Sequence, residues 1–164
     1  MHHYGKNLFF SNKLEIERSK TIHMKKSDDP AITLKPVAES DLRFLYQHLK
    51  ERDARANISH KKMPTYSEHI KFVKSRPYSK WYVVIHKNKK IGTIYLTKQN
   101  EIGIFIKKNL QDKGLGQKTL ELLMKKNPRK RFLANVSPKN KKSICFFTRN
   151  GFKLIQYTYE LEHN

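Results

Sequence analysis

Two glycines separated by one residue, Gly114 and Gly116, stand where a loop is predicted to turn into a helix. Glycine lets the backbone approach a ligand closely and adopt positive φ. The first N–H groups of a helix have no partner within the helix, and the helix dipole makes that end positive. The pair therefore predicts a cradle for an anion such as a diphosphate, although glycines before a helix also serve plain tight turns.

The elements around this loop fit that interpretation. Residues 101–106 predict a strand before the loop, and the segment after Gly116 predicts a helix with Leu120, Leu123 and Met124 facing inward. Upstream, residues 81–86 and 91–96 predict a hairpin with its turn at 87–90. Downstream, the predicted elements are a strand at 131–136, a helix at 140–149 ended by Asn150-Gly151, and a strand region at 152–160.

The amino-terminal half predicts one strand and two helices. Residues 32–37 alternate apolar and polar side chains, as a half-buried strand does. Ser40 is positioned to cap a helix with Leu42, Leu45, Tyr46 and Leu49 on one side. A loop at 53–64 leads to Thr65-Tyr66-Ser67-Glu68, which has the pattern of a capping box and opens a second helix with Ile70 and Val73 inward.

These elements predict an α/β chain with a mixed, largely antiparallel sheet and helices packed on it. We expect one domain at residues 31–164, preceded by an extension at 1–30. The single cysteine, Cys145, excludes an internal disulfide and fits a reducing, cytoplasmic location. No apolar run reaches the roughly 18 residues that a membrane span needs.

The formal net charge of +21 predicts an acidic partner, such as a phosphorylated small molecule. Of the 35 basic residues 8 are arginine, which leaves 27 lysines. Nucleic-acid grooves favour arginine because it makes bidentate contacts, so a nucleic-acid partner is disfavoured. The lysines are equally explained as an ordinary solvated surface of a chain with lysine-rich composition.

Other phosphate-binding and metal-binding patterns are absent from the sequence. There is no G-x-x-x-x-G-K-[ST] and no G-x-G-x-x-G, and the histidines lack the spacing of zinc ligands. The loop instead reads Q-x-x-G-x-G, with Gln111, Gly114 and Gly116. This pattern resembles the pyrophosphate signature of the GNAT superfamily of acetyl-CoA-dependent N-acetyltransferases.

A second motif supports the resemblance. Residues 140–152, NKKSICFFTRNGF, are similar to the family pattern N-x-x-A-x-x-L-Y-x-x-x-G-F, and the likeness covers roughly residues 31–161. It implies that parallel strands at 101–106 and 131–136 splay apart and that acetyl-CoA lies between them, without a metal. The cofactor-binding residues implied are Ile104, Phe105, Ile106, Gln111, Lys113, Gly114, Leu115, Gly116, Gln117, Asn140, Ser143 and Phe147.

Amide formation from a thioester needs a neutral amine, a proton acceptor, a donor for the oxyanion and a proton for the thiolate. Alternation on the strand puts Glu101 on the face opposite the isoleucines, near the implied cleft, so Glu101 is our candidate base. The oxyanion donor would be a main-chain N–H near Ile104. Alternatives on the acceptor side are Glu68, His69 and His60, although Glu68 is equally explained by the capping box.

The family's usual tyrosine acid falls at Phe147, which has no hydroxyl. Tyr157, Tyr159 or water would then protonate the thiolate, or no acid is needed. Cys145 is interpreted as a packed helix residue rather than a nucleophile.

The acceptor suggested by the resemblance is a nucleotide-linked amino sugar, as in pseudaminic-acid pathway enzymes. The features that carry it include residues 67–73, the pair Trp81-Tyr82, Gly92 and residues 101–103, and the nucleotide base could stack on Trp81. Trp81 is equally explained as a packed strand residue. Alternatives are a protein Nα-acetyltransferase of the ribosomal-protein type and a non-catalytic module that binds coenzyme A or nucleic acid. A homodimer is a further expectation.

Overall fold

A four-stranded antiparallel sheet organises the part of the chain that the computed structural model describes, residues 31–52 and 62–161. The strands lie in the order β1-β2-β3-β4. The elements in chain order are β1 Thr33–Pro36, α1 Leu42–Lys50, α2 Tyr66–Lys74, β2 Lys80–His86, β3 Lys89–Leu96, β4 Ile102–Ile106, α3 Leu115–Lys126 and α4 Lys141–Arg149. This confirms the predicted mixed α/β class. None of the described helices is long and apolar enough to cross a membrane.

The β2–β3 hairpin turns more tightly than the sequence predicted. Only Lys87 and Asn88 lie between the strands, and both have positive φ, 49° and 57°. Two consecutive residues with positive φ match the right-handed twist of the strands that they join. Lys89 and Lys90 therefore belong to β3 rather than to the turn.

The core lies between the sheet and α3. Leu120 and Leu123 of α3 are fully buried and pack in one cluster with Ile94, Leu96 and Ile102 of the sheet. Met124 is partly buried against the same cluster, so the predicted inward face of α3 is confirmed. Fully burying each such aliphatic side chain contributes about 1.5–3 kcal/mol.

The opposite face of the sheet is covered by α1 and α2 through aromatic contacts. The ring centroids of His48 in α1 and Phe105 in β4 are 4.4 Å apart, and those of Phe72 in α2 and Trp81 in β2 are 6.2 Å apart. Val73 of α2 is buried as predicted, and His69 beside it is buried too. The sheet therefore has an aliphatic face under α3 and an aromatic face under α1 and α2.

The start of α2 is determined by neighbouring residues, whereas the start of α1 involves a contact with a distant residue. The capping box of α2 is confirmed, because the Glu68 N–H donates to Thr65 Oγ1 at 3.3 Å and the Thr65 N–H donates to Glu68 Oε2 at 2.7 Å. Ser40 does not cap α1, so that prediction is wrong. A 3₁₀ turn at Glu39–Asp41 precedes α1, and the buried Asp41 carboxylate accepts from Ala38 N–H at 3.0 Å. Lys90 Nζ lies 2.6 Å from Asp41 Oδ1, which compensates the buried charge.

Two predicted strands, 131–136 and 152–160, are not formed. The first contributes one isolated parallel bridge, Leu133 to Glu101, and the second has no regular structure. Alternating apolar residues favour a half-buried strand, but a strand also needs an edge to pair with. The second segment does not pair with either edge of the sheet as a strand, and its apolar side chains lie exposed: Leu154, Ile155, Tyr157, Tyr159 and Leu161.

Candidate active site

The outer edge of β4 is open in its middle. Main-chain bonds join Thr97 N–H to the Glu101 carbonyl at 2.9 Å and Lys107 N–H to the Ile91 carbonyl at 2.8 Å. Antiparallel strands bond through every second residue. The main-chain N–H and carbonyl groups of Gly103 and Phe105 therefore also point toward β3, and those of Ile104 point away from it. Among the described residues, the Ile104 N–H and carbonyl have no partner. The edge therefore offers a donor and an acceptor to a ligand.

Both ends of this open edge are closed by the chain itself. At the start, the Ile102 N–H donates to the Leu133 carbonyl at 2.8 Å, and the Leu133 N–H donates to the Asn100 carbonyl at 2.9 Å. At the far end, Gln111 Nε2 donates to the Ile106 carbonyl at 2.7 Å. The parallel pairing with the 131–136 segment is thus confined to one bridge, beyond which no main-chain bond joins the two in the described chain.

The start of α3 presents unpaired amides. Gly114 precedes the helix with φ 73°, the left-handed region, and a methyl group there would have no atom within 4 Å, so its backbone conformation is what requires glycine. The first main-chain bond of the helix runs from Lys118 N–H to the Gly114 carbonyl at 3.1 Å. Within the described residues, the N–H groups of Leu115, Gly116 and Gln117 therefore have no acceptor. Lys113 beside them is exposed.

Helix α4 abuts this cradle. A methyl at Gly116 would stand 3.2 Å from the Phe146 ring, so the missing side chain makes room for α4. Asn140 caps α4, because its Oδ1 accepts from Ser143 N–H at 3.0 Å. Phe147 is buried against Phe146 and Phe152. The ligand roles predicted for Asn140, Ser143 and Phe147 stay predictions, since each also has a structural task or position here.

A carboxylate lies at the amino-terminal end of β4 and is held by two side chains. Glu101 Oε1 accepts from Asn135 Nδ2 at 2.7 Å, and Oε2 accepts from Thr97 Oγ1 at 3.3 Å. The Glu101 N–H donates to the same Thr97 oxygen at 3.0 Å. Glu101 is partly buried and Asn135 is exposed. The candidate base thus lies where β4 and the 131–136 segment part, with its carboxylate oriented from both sides.

His48 fastens α1 to the other end of β4. Its Nε2–H donates to the Phe105 carbonyl at 2.9 Å, which fixes the tautomer and leaves Nδ1 as an acceptor 4.0 Å from Glu51 Oε2. Burial lowers the pKa of His48, although the bond to the Phe105 carbonyl opposes that effect. His48 is therefore neutral near pH 7, and it occupies a carbonyl of β4 rather than reaching the open edge.

An aromatic row crosses the sheet toward β4. Trp81 pairs with Tyr95, and Tyr95 pairs with Gly103. The Tyr95 ring occupies the space where a side chain of Gly103 would lie, so glycine is required there. Tyr78 stacks on Tyr95 with ring centroids 3.8 Å apart and planes 6° apart, and burial raises the pKa of Tyr78, which keeps its hydroxyl protonated. Trp81 contacts Tyr78 edge-on at 4.9 Å.

The remaining predicted site residues are not gathered at β4. Glu68 is engaged in its capping box, and hydrogen bonds from Thr65 lower its pKa. His69 is buried, and burial lowers its pKa. Tyr157 and Tyr159 are 74% and 92% exposed in the irregular segment after α4. His60 lies outside the described residues.

Sequence reasoning missed Thr97, Asn135, His48 and Tyr95. The partners of Asn135 and His48 are 34 and 57 positions away, so residue spacing contains no direct signal for them. Thr97 lies four residues from Glu101, and their contact depends on the turn between β3 and β4. The one available hint was Gly103, because a glycine inside a strand often marks a close approach by another group. No group of three or more histidine, cysteine or acidic residues suited to a metal occurs in the described ranges.

Comparison with known proteins supports this geometry. The family model described as an acetyltransferase (GNAT) domain matches residues 31–153, well over half of the chain. No curated protein matches.

Solved structures share the fold. A domain from Methanocaldococcus jannaschii DSM 2661 is 23% identical, with a TM-score of 0.69 over 80% of this chain and 94% of that chain. The ribosomal L7/L12 alpha-N-protein acetyltransferase RimL, in complex with coenzyme A, is 22% identical, with a TM-score of 0.64 over 76% and 81%. A spermidine N-acetyltransferase from Vibrio cholerae, with coenzyme A and spermine, is 18% identical, with a TM-score of 0.60 over 73% and 79%.

The family match includes the loop before α3, the open edge of β4 and the second motif. It covers the Gln111 to Gly116 loop, all four strands and α4. The chain belongs to the GNAT acetyltransferase family and is an N-acetyltransferase that uses acetyl-CoA as its acetyl donor.

Proposed function

We propose that this enzyme transfers the acetyl group directly to the primary amine of an anionic small molecule, a nucleotide-linked amino sugar. The observation that carries the proposal is the arrangement along β4. The Glu101 carboxylate lies at one end of the open edge, and the unpaired amides of α3 follow its other end. A proton acceptor and an anion cradle on one strand suit transfer within a ternary complex.

The residues present fit the acetyl donor. The unpaired N–H groups of Leu115, Gly116 and Gln117 match phosphate oxygens, and the exposed Lys113 adds positive charge beside them. The open carbonyl of Ile104 matches an amide N–H of the pantetheine arm, which leaves the Ile104 N–H for the thioester carbonyl oxygen. When bound, the donor supplies an activated thioester carbonyl. Gln111 contributes by fixing the loop to the Ile106 carbonyl.

Glu101 takes a proton from the acceptor ammonium in this proposal, which frees the nitrogen lone pair. The amine nitrogen then bonds to the thioester carbon while the carbon–sulfur bond breaks, and the Ile104 N–H donates to the carbonyl oxygen. Phe147 is buried and has no hydroxyl, and Tyr157 and Tyr159 are exposed. We therefore propose that water carries the second proton, which the attacking nitrogen loses as the amide forms, to the leaving thiolate.

Charge supports an anionic acceptor. With a net charge of +21, the chain attracts phosphorylated substrates and repels polyamines at low ionic strength. The part-buried rings of Trp81, Tyr78 and Tyr95 form a continuous aromatic surface that leads to Gly103 of β4. Aromatic rings bind nucleotide bases through stacking and edge contacts. A nucleotide-linked amino sugar would combine both features.

Two structural neighbours supply the competing acceptors. Their names describe acetylation of the amino end of ribosomal L7/L12 and of spermidine. Both proteins are under 25% identical to this chain, so the likeness extends to the fold and not to the acceptor. They define the two comparison arms of the test.

Turnover on a matched acceptor panel tests the proposal. Coenzyme A release would be followed with UDP-linked amino sugars, short peptides with free amino ends, and spermidine, each at low and high salt. We expect the highest kcat/KM with a UDP-linked amino sugar, and a KM for it that rises with salt because screening weakens the attraction. Preference for peptides or spermidine would overturn the sugar assignment. Coenzyme A binding without turnover on any amine would favour a non-catalytic module.

A further inference from the structure

We infer that Asn135 is a positioning residue that holds the Glu101 carboxylate in the orientation needed to accept the amine proton. The inference rests on the proposed function, because it assigns a task to a neighbour of the proposed base. Asn135 belongs to the 131–136 segment, whose one bridge among the described residues joins Leu133 to Glu101, just before β4. Its side chain therefore reaches across the gap at the point where the two segments separate.

The geometry of the contact is specific. Glu101 Oε1 and Asn135 Nδ2 are 2.7 Å apart, which is short for an N–H···O bond and typical of a charged acceptor. The ionised carboxylate can only accept, so the amide nitrogen of Asn135 must face it. The other oxygen, Oε2, has the longer bond of 3.3 Å from Thr97 Oγ1. Asn135 thus supplies the stronger of the two restraints.

Two donors on opposite oxygens fix the side-chain torsions of Glu101. An ionised carboxylate has about four lone-pair positions, so at least two stay available for the acceptor proton. Without Asn135, only the Thr97 bond restrains the carboxylate, and the side chain gains other rotamers. Since proton transfer needs hydrogen-bond distance to the amine, lost orientation lowers kcat while leaving the binding groups around α3 in place.

A double-mutant cycle with Glu101→Gln tests this role. Alone, Glu101→Gln should lower kcat about 100-fold or more, the usual scale for removing a general base. Asn135→Ala should lower kcat about tenfold, with the KM for acetyl-CoA unchanged, because one bond to a charged group is lost. Asn135→Gln, which retains a carboxamide at an exposed position, should recover part of that loss. In the Glu101→Gln background, Asn135→Ala should have no further effect on kcat.

Controls separate this role from a structural one. Thr33→Ala removes an exposed polar group from β1, at the opposite edge of the sheet, and should leave kcat unchanged. Equal kcat losses from Asn135→Ala in both backgrounds, or no loss in either, would overturn the positioning role while Glu101 stands as base. Unchanged kcat in Glu101→Gln itself would remove the proposed base, and the role of Asn135 with it.

Discussion

The two ends of β4 perform different tasks with different parts of the chain. At the carboxyl end, the groups available to a cofactor are mostly main-chain groups. The Ile106 carbonyl accepts from the Gln111 side chain, and α3 begins with N–H groups that have no partner in the described chain. At the amino end, the functional group is a side chain, because Asn135 and Thr97 hold the Glu101 carboxylate through hydrogen bonds. Cofactor binding is thus expected to depend on backbone conformation, and the proton acceptor on tertiary contacts.

This difference separates the substitutions that should affect each end. Changes in backbone conformation near Gly114 should alter cofactor affinity and leave the chemistry of Glu101 intact. Changes at Asn135 should impair the chemistry of Glu101 and leave cofactor affinity intact.

Replacing Gly114 by valine should weaken coenzyme A binding roughly tenfold. A residue with a Cβ at φ 73° costs about 1–2 kcal/mol, and the loop would relax in a way that turns the first amides of α3 from the phosphates. Gly114→Asn should weaken binding less, because asparagine tolerates this region. Titration calorimetry with coenzyme A measures both.

Gly151 provides the matched control, since it has φ 83° at the end of α4 and open space around it. Gly151→Val should lower the thermal midpoint while coenzyme A affinity stays close to that of the parent. Equal losses of affinity at both glycines would mean that general destabilisation, and not the cradle, explains the result.

Removing the Gln111 side-chain bond should have a smaller effect, about a fivefold loss of coenzyme A affinity. Gln111→Leu leaves the Ile106 carbonyl without its donor, and a typical net hydrogen bond contributes about 1 kcal/mol. Gln111→Glu is the near-isosteric comparison, because an ionised carboxylate cannot donate to that carbonyl. If both variants bind coenzyme A normally, the loop does not need this bond.

Acidification should lower the free energy of unfolding through His48, which bonds to the carboxyl end of β4. Burial lowers the pKa of His48 in the folded state below its ordinary 6.5, so the unfolded chain binds more protons as pH falls. The stability contribution is complete above about pH 6.5 and is lost as pH drops through the folded pKa. The free energy of unfolding, measured by urea titration from pH 8 to 5, should therefore decline toward acid.

His48→Gln isolates this contribution, because glutamine can still donate to the Phe105 carbonyl but does not titrate. Its pH slope should be shallower than that of the parent, with the remaining slope partly due to His69, whose pKa burial also lowers. An unchanged slope in His48→Gln would exclude His48 as the titrating group.

Sequence reasoning succeeded where the cause of a structure is local. The capping box at Thr65–Glu68, the inward face of α3 and the left-handed Gly151 after α4 each depend on residues within a turn or two. The glycines before α3 likewise report a backbone need that is visible in the residue types themselves. The same features are the basis for the prediction that the loop binds the cofactor.

It failed where the deciding partner is distant. Asn135 meets Glu101 from 34 positions away, and no spacing rule connects an isolated asparagine to an isolated glutamate. Ser40 is a good capping residue, yet it lies within a 3₁₀ turn whose buried Asp41 is paired with the distant Lys90. The 152–160 segment has strand-like alternation, but pattern alone cannot provide the neighbouring strand that would pair with it.

The bonds that close the two ends of the β4 edge also limit aggregation of the protein. An edge strand with a long row of unsatisfied groups invites foreign chains to add to the sheet and can start aggregation. Leu133 and Gln111 cover the two ends of the β4 edge, so that on β4, within the described part of the chain, only the stretch around Ile104 is available. This open stretch is too short for another polypeptide chain to pair with β4 and extend the sheet. It is sufficient for the pantetheine arm of coenzyme A, which carries amide groups.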